Sequence, residues 1–386
     1  MKNVFLVLVL VILILGFNSC KKEIENPDDN TDTTGFSSII PEGWVAEVVD
    51  SLDIDISVAD FNKIVVDQNN GVHILYSVEA ENDYSLKYAY KANGGAWQVA
   101  VITGIDDYFD FYYGADIAVT STDVYVIYVD NVTNSRMHIT KKAIGSGTWS
   151  DEIFDDNSLA RYPNLFVDKN NNVHIGYTHA NNGQYYALYG NIGTEISDIS
   201  SDAGDIVVDK DGVIHIFYSK NYDFRHIYSA DGVNWTDEIV YTEPDEYIEH
   251  ISAAVDTAGN ISTGFSMNSL DNNIDFFYKS YGNSDFSFSK TGVVGVSRLQ
   301  FEVAVDLSGK QYFTTYEYSD NYSLQLSEKN NTASNWSHTL LLNDADLRYG
   351  SVSSIIIDKD YGIHISSNGE SNEVSNMLFY LYKVHE

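Results

Sequence analysis

The sequence is poor in cysteine and in positive charge. Cys20 is the only cysteine of the 386 residues, so the fold has no internal disulfide and its stability has to come from packing. Lysine and arginine number 22 against 56 aspartates and glutamates, a formal charge of −34. A surface of this sign repels phosphate backbones, so we expect no nucleic-acid partner. The sequence also lacks P-loop, GxSxG and HExxH motifs.

The longest apolar run lies near the N-terminus, from Val4 to Leu15. It is shorter than the ~20 residues of a membrane-spanning helix, and its length suits the core of a signal peptide. The run leads into residues 16–20 (GFNSC), which resemble the lipobox of bacterial lipoproteins. The resemblance implies cleavage before Cys20, attachment of palmitate-type chains to Cys20 and anchoring to a membrane. The alternative is a free thiol in a soluble secreted protein.

The next residues read as a tether. Residues 20–42 are polar and acidic, which predicts a flexible segment between a signal peptide over 1–19 and a folded domain over 43–386. The start Ser19-Cys20-Lys21-Lys22-Glu23 is similar to lipoproteins of Bacteroidota-type bacteria. That similarity implies an exported, lipid-anchored protein at the outer membrane or the cell surface.

The rest of the chain repeats one phrase, two β runs joined by a turn rich in Asp, Asn and Gly. Its landmark residues are 41 to 53 positions apart: Asp67, Thr120, Asp168, Asp209, Asp256, Asp306 and Asp358. A third run follows each hairpin, and a fourth begins at Trp97, Trp149, Trp235 and Trp336. Four short strands per ~45 residues is the pattern of a propeller blade. We therefore predict an all-β chain that forms a single seven-bladed β-propeller of four-stranded antiparallel blades, and we expect a monomer.

The two ends of the repeat region complement each other. Residues 44–49, starting at Trp44, read as a fourth strand with no blade before it, and the seventh repeat stops at Glu386 after its third strand. Leaving both edges open would expose unpaired backbone groups. The sequence therefore predicts that the N-terminal strand closes the ring by pairing with the last blade.

One turn resembles a known motif. Residues 229–235 (SADGVNW) are similar to the Asp-box of sialidase-like, BNR-repeat propellers, although one residue is missing between Asp231 and Gly232. In that superfamily the box is a turn between the third and fourth strands. The resemblance implies the architecture of residues 43–386, and it does not transfer an activity, since the fold has many functions.

Candidate site residues share one side of the predicted propeller. All five arginines fall in strand 2–3 loops, in blade-to-blade loops or beside them, together with many tyrosines. Arginine suits carboxylates and sulfates, and tyrosine suits sugar rings. The ligand-binding candidates are Arg161, Arg225, Arg298, Arg348, Tyr162 and Tyr349, and the catalytic candidates are His179, His250, Arg225 and Arg298. The alternative is that these arginines only neutralise nearby acids.

Other polar residues recur with the repeat. His73, His174, His215 and His364 each follow the landmark Asp by six positions, so we interpret them as blade scaffolding. The tracts 209–212 and 358–362 are similar to calcium loops, but they lack the downstream glutamate of an EF-hand. We predict no metal site and no cofactor.

Three functions remain open. The first is a membrane-anchored glycan-binding protein, or an accessory or scaffold protein in polysaccharide handling, with a glycan or an anionic polysaccharide as partner. The second is a polysaccharide lyase in which His or Tyr removes a proton and Arg neutralises a uronate. The third is a sialidase-like glycoside hydrolase. The sequence alone leaves enzyme and binding protein undecided.

Overall fold

The computed structural model describes residues 40–53, 56–80, 83–105, 114–130, 136–156, 160–179, 183–198, 204–220, 222–242, 248–267, 274–280, 282–291, 301–317, 323–330, 333–343, 347–371 and 375–384. Strands are the only regular secondary structure in these ranges. Within them, no helix is present that could span a membrane. The predicted signal peptide and most of the tether, with Cys20, lie outside the described residues.

The strands form seven four-stranded sheets, one for each blade. Blade 1 consists of β2 (Ile56–Val66), β3 (Val72–Ala80), β4 (Asp83–Lys91) and β5 (Gln98–Ile105). Blade 2 consists of β6 (Ala115–Val119), β7 (Asp123–Val129), β8 (Met137–Ala143) and β9 (Ser150–Asp155). Blade 3 consists of β10 (Ala160–Val167), β11 (Val173–His179), β12 (Gly183–Leu188) and β13 (Thr194–Ser197). Blade 4 consists of β14 (Gly204–Val208), β15 (Ile214–Lys220), β16 (Asp223–Ser229) and β17 (Thr236–Thr242). Blade 5 consists of β18 (Ile248–Val255), β19 (Ile261–Met267), β20 (Ile274–Lys279) and β21 (Ser287–Lys290). Blade 6 consists of β22 (Val303–Val305), β23 (Gln311–Glu317), β24 (Ser323–Lys329) and β25 (Ser337–Asn343). Blade 7 consists of β26 (Leu347–Ile357), β27 (Ile363–Ser371), β28 (Ser375–Lys383) and β1 (Trp44–Asp53).

The blades surround a central channel. The first strands contact one another in a closed circle, in the order β2, β6, β10, β14, β18, β22, β26 and back to β2. They therefore form the channel wall, and the fourth strands lie at the outside. The chain is a seven-bladed β-propeller with antiparallel blades, as the repeats predict.

The last blade takes its fourth strand from the other end of the chain. β1 pairs antiparallel with β28, from Trp44 opposite Lys383 to Asp53 opposite Ser375. The predicted pairing of residues 44–49 with the final blade is therefore present. Trp44 is buried there and joins an apolar cluster with Phe379 of β28 and Leu341 of blade 6.

Apolar clusters lie between neighbouring blades. One of them combines Leu75 and Tyr88 of blade 1 with Ile117 and Val126 of blade 2. Because each blade packs on both of its faces, the second strands are buried throughout, as in β11. This double burial explains why the repeats read as nearly continuous apolar runs. The fourth strands are largely exposed, as in β9.

The landmark aspartate builds the turn between the first two strands. Asp67 Oδ1 accepts the backbone N–H groups of Asn69 and Gly71 at 2.7 and 2.8 Å. The same two bonds recur at Asp168, Asp209, Asp256, Asp306 and Asp358. In blade 2 the hydroxyl of Thr120 takes this place. The tracts that are similar to calcium loops are therefore hairpin turns whose aspartates are engaged by the backbone.

The recurring histidines continue this network into the blades. His73 lies 3.2 Å from Asp67 Oδ2 through Nε2 and 2.6 Å from the Tyr88 hydroxyl through Nδ1. His364 repeats the arrangement with Asp358 and a tyrosine of β28, at 3.0 and 2.7 Å. Burial lowers the pKa of both histidines, and a neutral imidazole satisfies both links, donating to the carboxylate and accepting from the hydroxyl. The interpretation of these residues as scaffolding is confirmed.

Lysine side chains lie over the rings of tryptophans at the start of several fourth strands. Lys142 Nζ lies 4.9 Å from the ring of Trp149 and 4.1 Å from the ring of Tyr88 in the preceding blade. Lysine–tryptophan pairs at 5.7 to 5.9 Å occur at Lys91 and Trp97, Lys329 and Trp336, and Lys383 and Trp44. These tryptophans are framework residues, and they occupy several of the scarce lysines.

Candidate functional site

Each repeat has a polar residue four positions before the landmark residue. It lies in the first strand of the blade, except in blade 6, where Glu302 directly precedes β22. These seven residues, which we name the wall ring, are Lys63, Asp116, Asn164, Asp205, Ser252, Glu302 and Ser354. The three residues that follow each of them are apolar in every repeat, as in Ile64-Val65-Val66. Because the first strands form the channel wall, the repeat places one polar side chain per blade around it.

Most of the wall ring joins one blade to the next. Asp116 accepts the backbone N–H of Leu165 at 2.6 Å, and Asp205 accepts that of Ala253 at 2.7 Å. The same kind of bond, from the first strand of the next blade to the side chain, runs from Val303 to Ser252 at 3.0 Å and from Ile64 to Ser354 at 3.2 Å. These bonds satisfy backbone groups on the inner edge of the sheets.

Lys63 behaves differently from the other members. Its ammonium group forms an ion pair with Glu302, which comes from blade 6 and also accepts the Ser252 hydroxyl at 3.2 Å. The side chains of Lys63 and Glu302 keep only 16% and 14% of their exposure. Burial opposes the charged form of Lys63, but the carboxylates of Glu302, Asp116 and Asp205 outweigh it and raise the pKa of the ammonium. A lysine from one blade is thus held among acids from three others.

The channel acids outnumber this lysine. Burial, with a contribution from the charge of Glu302, raises the pKa of Asp205 to about 8, although Lys63 and the N–H of Ala253 act in the opposite direction. Burial likewise raises the pKa of Asp116 to about 6. At neutral pH the folded chain therefore keeps a proton on Asp205, which reduces the repulsion between the carboxyl groups.

His250, a catalytic candidate, lies beside this cluster on β18. Its Nε2 donates to the carbonyl oxygen of Phe301 at 3.0 Å. Burial lowers the pKa of His250 to about 4, and the charge of Glu302 opposes the shift while that of Lys63 adds to it. The imidazole is therefore neutral at pH 7. The structure brings His250 and the wall ring together, which the sequence alone did not predict.

Arg161 and Tyr162 lie on β10, at the channel wall of blade 3. The register of β10 against β11 shifts between Arg161 and Asn164, so the strand bulges there. Tyr162 has a φ of 50°, in the left-handed region that costs a residue with a side chain about 1–2 kcal/mol. The bulge therefore places one predicted ligand-binding residue, Tyr162, in an unusual backbone conformation directly after the other, Arg161. Their role in binding stays a prediction.

Arg225 and His179 lie away from the channel wall. Arg225 is on β16, the third strand of blade 4, where its guanidinium group lies 3.0 Å from Asp237 and 3.7 Å from Asp223. His179 ends β11, is 3% exposed and bonds Asp155 at 3.0 Å. The structure does not bring these two residues to His250. For Arg225, the surroundings match the alternative in which arginines neutralise nearby acids.

The remaining candidates cannot be placed beside these residues. Arg298 lies outside the described residues. Arg348 and Tyr349 belong to β26, the first strand of blade 7, opposite Glu370 and Gly369, and their side chains are outside the described part. In the ranges that the structure describes, no group of three or more His, Cys, Asp or Glu side chains is arranged to hold a metal ion.

The sequence analysis missed the wall ring. Its signal was a polar residue before the three apolar residues and the landmark, as in Lys63 before Ile64-Val65-Val66-Asp67. The position is polar in all seven repeats although its chemistry changes from cation to acid to hydroxyl. A search for a repeated residue type passes over such a position, whereas a search for a repeated polarity finds it.

No family model matches this chain, and no curated protein matches it either. Solved structures do. An ulvan lyase of a new polysaccharide lyase family, bound to a GlcA–Rha3S segment, has a TM-score of 0.61 at 10% identity and covers 87% of this chain and 96% of its own. The BP39L lectin from Burkholderia pseudomallei has a TM-score of 0.58 at 8% identity, over 86% and 98%. A protein of unknown function from Dyadobacter fermentans has a TM-score of 0.53 at 11% identity, over 89% and 100%. At these identities the similarity shows the propeller fold alone.

Proposed function

We propose that this chain is an exported propeller lipoprotein that binds glycans, or that serves as an accessory or scaffold protein in polysaccharide handling. The observation that carries the proposal is the engagement of the described catalytic candidates. His250 is bonded to a backbone carbonyl, His179 is buried against Asp155, and Arg225 is paired with Asp237. Groups held in this way stabilise the framework, and binding does not require any of them to transfer a proton.

Proteins with a similar fold support the same proposal. The structures with similar architecture include a lectin and a lyase that was solved with a bound saccharide. The tyrosines predicted on the loop side would supply flat apolar surfaces with a hydroxyl group, which suits sugar rings. Binding needs only such a surface, so it requires the fewest assumptions about residues outside the described part.

A polysaccharide lyase is the second candidate, because one observation favours it. His250 is neutral at pH 7, and a neutral imidazole can accept a proton. The nearby ammonium of Lys63 lowers the pKa of His250 further and makes the imidazole a weaker base, which ranks this candidate second. In this candidate the imidazole would take a proton from a uronate while arginine neutralises the carboxylate.

One experiment separates these functions. The purified domain is tested on a glycan array and, in parallel, for the ultraviolet absorbance of unsaturated uronate products and for new reducing ends. We expect binding without product. Unsaturated product that disappears in His250→Ala would establish a lyase, and reducing ends without that absorbance would indicate a hydrolase. If neither binding nor product is found, the glycan proposal is abandoned and the scaffold role remains.

The lipid anchor is part of the same proposal and has its own test. The Cys20→Ser variant is expressed in a bacterium that processes lipoproteins, and membrane and soluble fractions are compared. We expect the variant to move into the soluble fraction, because the lipid chains on Cys20 are the proposed attachment. A variant that stays with the membrane would contradict the lipobox interpretation of residues 16–20.

A further inference from the structure

A cavity of about 870 Å³ opens between blades 6 and 7, on the side of the hairpin turns. Blade 6 contributes Lys310, Tyr312 and Glu328, and blade 7 contributes Tyr361 and Lys383. The segment that leads into β1, at Glu42 and Gly43, forms the remaining wall. The cavity lies on the opposite side of the molecule from the loops that carry the predicted arginines.

The repeat changes at this cavity. In blade 1, Tyr90 lies opposite His73 across the second and third strands and packs on its ring at 4.8 Å. In blade 7, Tyr382 packs on His364 in the same way at 4.7 Å. In blade 6 the equivalent pair is Tyr312 and Glu328. Position 328 therefore lacks the ring that blades 1 and 7 carry there, and its carboxylate pairs with Lys310 instead.

The cavity combines charges of both signs with aromatic rings. Glu328 pairs with Lys310 at 2.9 Å, and both side chains keep about a quarter to a third of their exposure. Lys383 lies over the Trp44 ring at 5.9 Å, and no carboxylate pairs with its ammonium among the described residues. The equivalent lysine of blade 1, Lys91, is by contrast held by Glu47. The donors of Lys383 therefore remain for a ligand.

We infer that this cavity is a binding site for a short neutral oligosaccharide. Sugar hydroxyls can donate to Glu328 and accept from Lys383, and Tyr361, a half-buried residue of the lining, adds an aromatic ring. The volume lies within the range of small-molecule sites. A neutral ligand is favoured over an anionic one because the chain carries a formal charge of −34 and carboxylates line the cavity as well. The inference deepens the proposed glycan binding by naming a site and a ligand class.

The repeat supplies the decisive variant. Glu328→Tyr introduces the residue that blades 1 and 7 carry at this position and should fill the cavity without disturbing the fold. Lys383→Gln removes the unpaired ammonium. Lys359→Met, an exposed lysine on the neighbouring turn, is the matched control. Binding of neutral di- to tetrasaccharides and of their uronate-containing counterparts is measured by calorimetry, with thermal melting as the check on folding.

We expect Glu328→Tyr to abolish binding of the neutral oligosaccharides and Lys383→Gln to weaken it about 10-fold or more, since a hydrogen bond to a charged group is lost. Lys359→Met should bind as the parent does. Neutral-sugar binding that survives Glu328→Tyr would overturn the site, and binding of only the uronate-containing sugars would overturn the ligand class. If the parent binds no glycan at all, the proposed function fails with it, whereas binding by the parent that these variants leave intact refutes this site alone.

Discussion

The hairpin turns and the channel wall occur once in every blade, yet they use the repeat in opposite ways. At the turn, six of the seven blades place the same aspartate and make the same two backbone bonds. At the wall, the equivalent position varies between lysine, carboxylate, amide and hydroxyl. The turn satisfies an identical local need seven times. The wall faces one shared space, where identical charges would repel one another.

The difference shows where a repeat protein departs from its own symmetry. A ring of seven carboxylates in one channel would be strongly unfavourable, so one position holds Lys63 and others hold Ser or Asn. At the turns the aspartates are far apart and each is stabilised by its own backbone. Variation at a structurally equivalent position therefore marks a place where side chains of several blades meet. The cavity beside Glu328 is a second case of the same rule.

The comparison assumes a closed ring, and removing the closing strand tests that assumption with the largest expected effect. Deletion through Val49 takes away the partner of β28 and the buried ring of Trp44. We expect a loss of about 5 kcal/mol or more, which is of the order of a whole domain's stability. Deletion of residues 21–38 should leave the melting temperature unchanged. Equal melting of the two deletion variants would refute closure by β1.

Removing the one cation of the wall ring is the next largest test. Lys63→Met leaves Glu302 and Asp116 without their counter-charge, and breaking a buried pair in this way costs about 3–5 kcal/mol. Urea denaturation measures the loss. Lys310→Met is the control, because its pair with Glu328 is more exposed and worth at most about 1 kcal/mol. A Lys63→Met, Glu302→Gln double variant should recover part of the loss, and no recovery would argue against direct coupling.

A turn position should matter more than a wall position within the same blade. Asp358→Ala removes the acceptor of two backbone N–H groups and leaves the buried His364 Nε2 without its partner. We expect a loss of about 2–4 kcal/mol in denaturant unfolding, because buried groups are left unsatisfied. Ser354→Ala, which loses the single bond from Ile64, should cost about 1 kcal/mol. A larger loss of unfolding free energy in Ser354→Ala than in Asp358→Ala would contradict this comparison of turn and wall.

The smallest expected effect is a pH dependence that belongs to the wall. The folded-state pKa of Asp205, about 8, lies above that of an unfolded aspartate, so the stability it contributes is complete at low pH and is lost as the pH rises. Over pH 6.5 to 8 this contribution of Asp205 falls by about 1–2 kcal/mol. Buried histidines act in the opposite direction over the same range, because the pKa values of His73, His250 and His364 are lowered in the folded state. The Asp205 contribution is therefore measured as a difference between the parent and a variant.

Asparagine at the same position sharpens this test. The free energy of unfolding of Asp205→Asn, taken relative to the parent, should rise by about 1–2 kcal/mol from pH 6.5 to 8, although the variant also loses one backbone bond at every pH. Asp360→Asn is the control, since hydrogen bonds from Asn70 and Lys359 lower the pKa of this exposed carboxyl. It is ionised throughout the window, so its difference from the parent should not change with pH. A difference between Asp205→Asn and the parent that is constant over this range would assign the proton to another group.

The sequence predicted the architecture well because the fold is repetitive. Landmark aspartates, tryptophans and the surplus strand at Trp44 each report on local or complementary needs, and these were read correctly. The cluster around Lys63 could not be predicted, because it joins Lys63 to Glu302, which lies 239 residues further along the sequence. Arg225 illustrates the same limit, since its loop position suggested a ligand while its partner Asp237 lies across the sheet on the fourth strand.

The pairing of β1 with β28 also determines how the molecule resists mechanical force. Nine pairs of residues join the two antiparallel strands, starting at Trp44 opposite Lys383 on the side where the N-terminal segment enters. A force along the axis of β1 loads these hydrogen bonds together in shear, whereas a force across the sheet peels them one at a time. The closing strand therefore gives the ring its greatest mechanical resistance along the axis of β1.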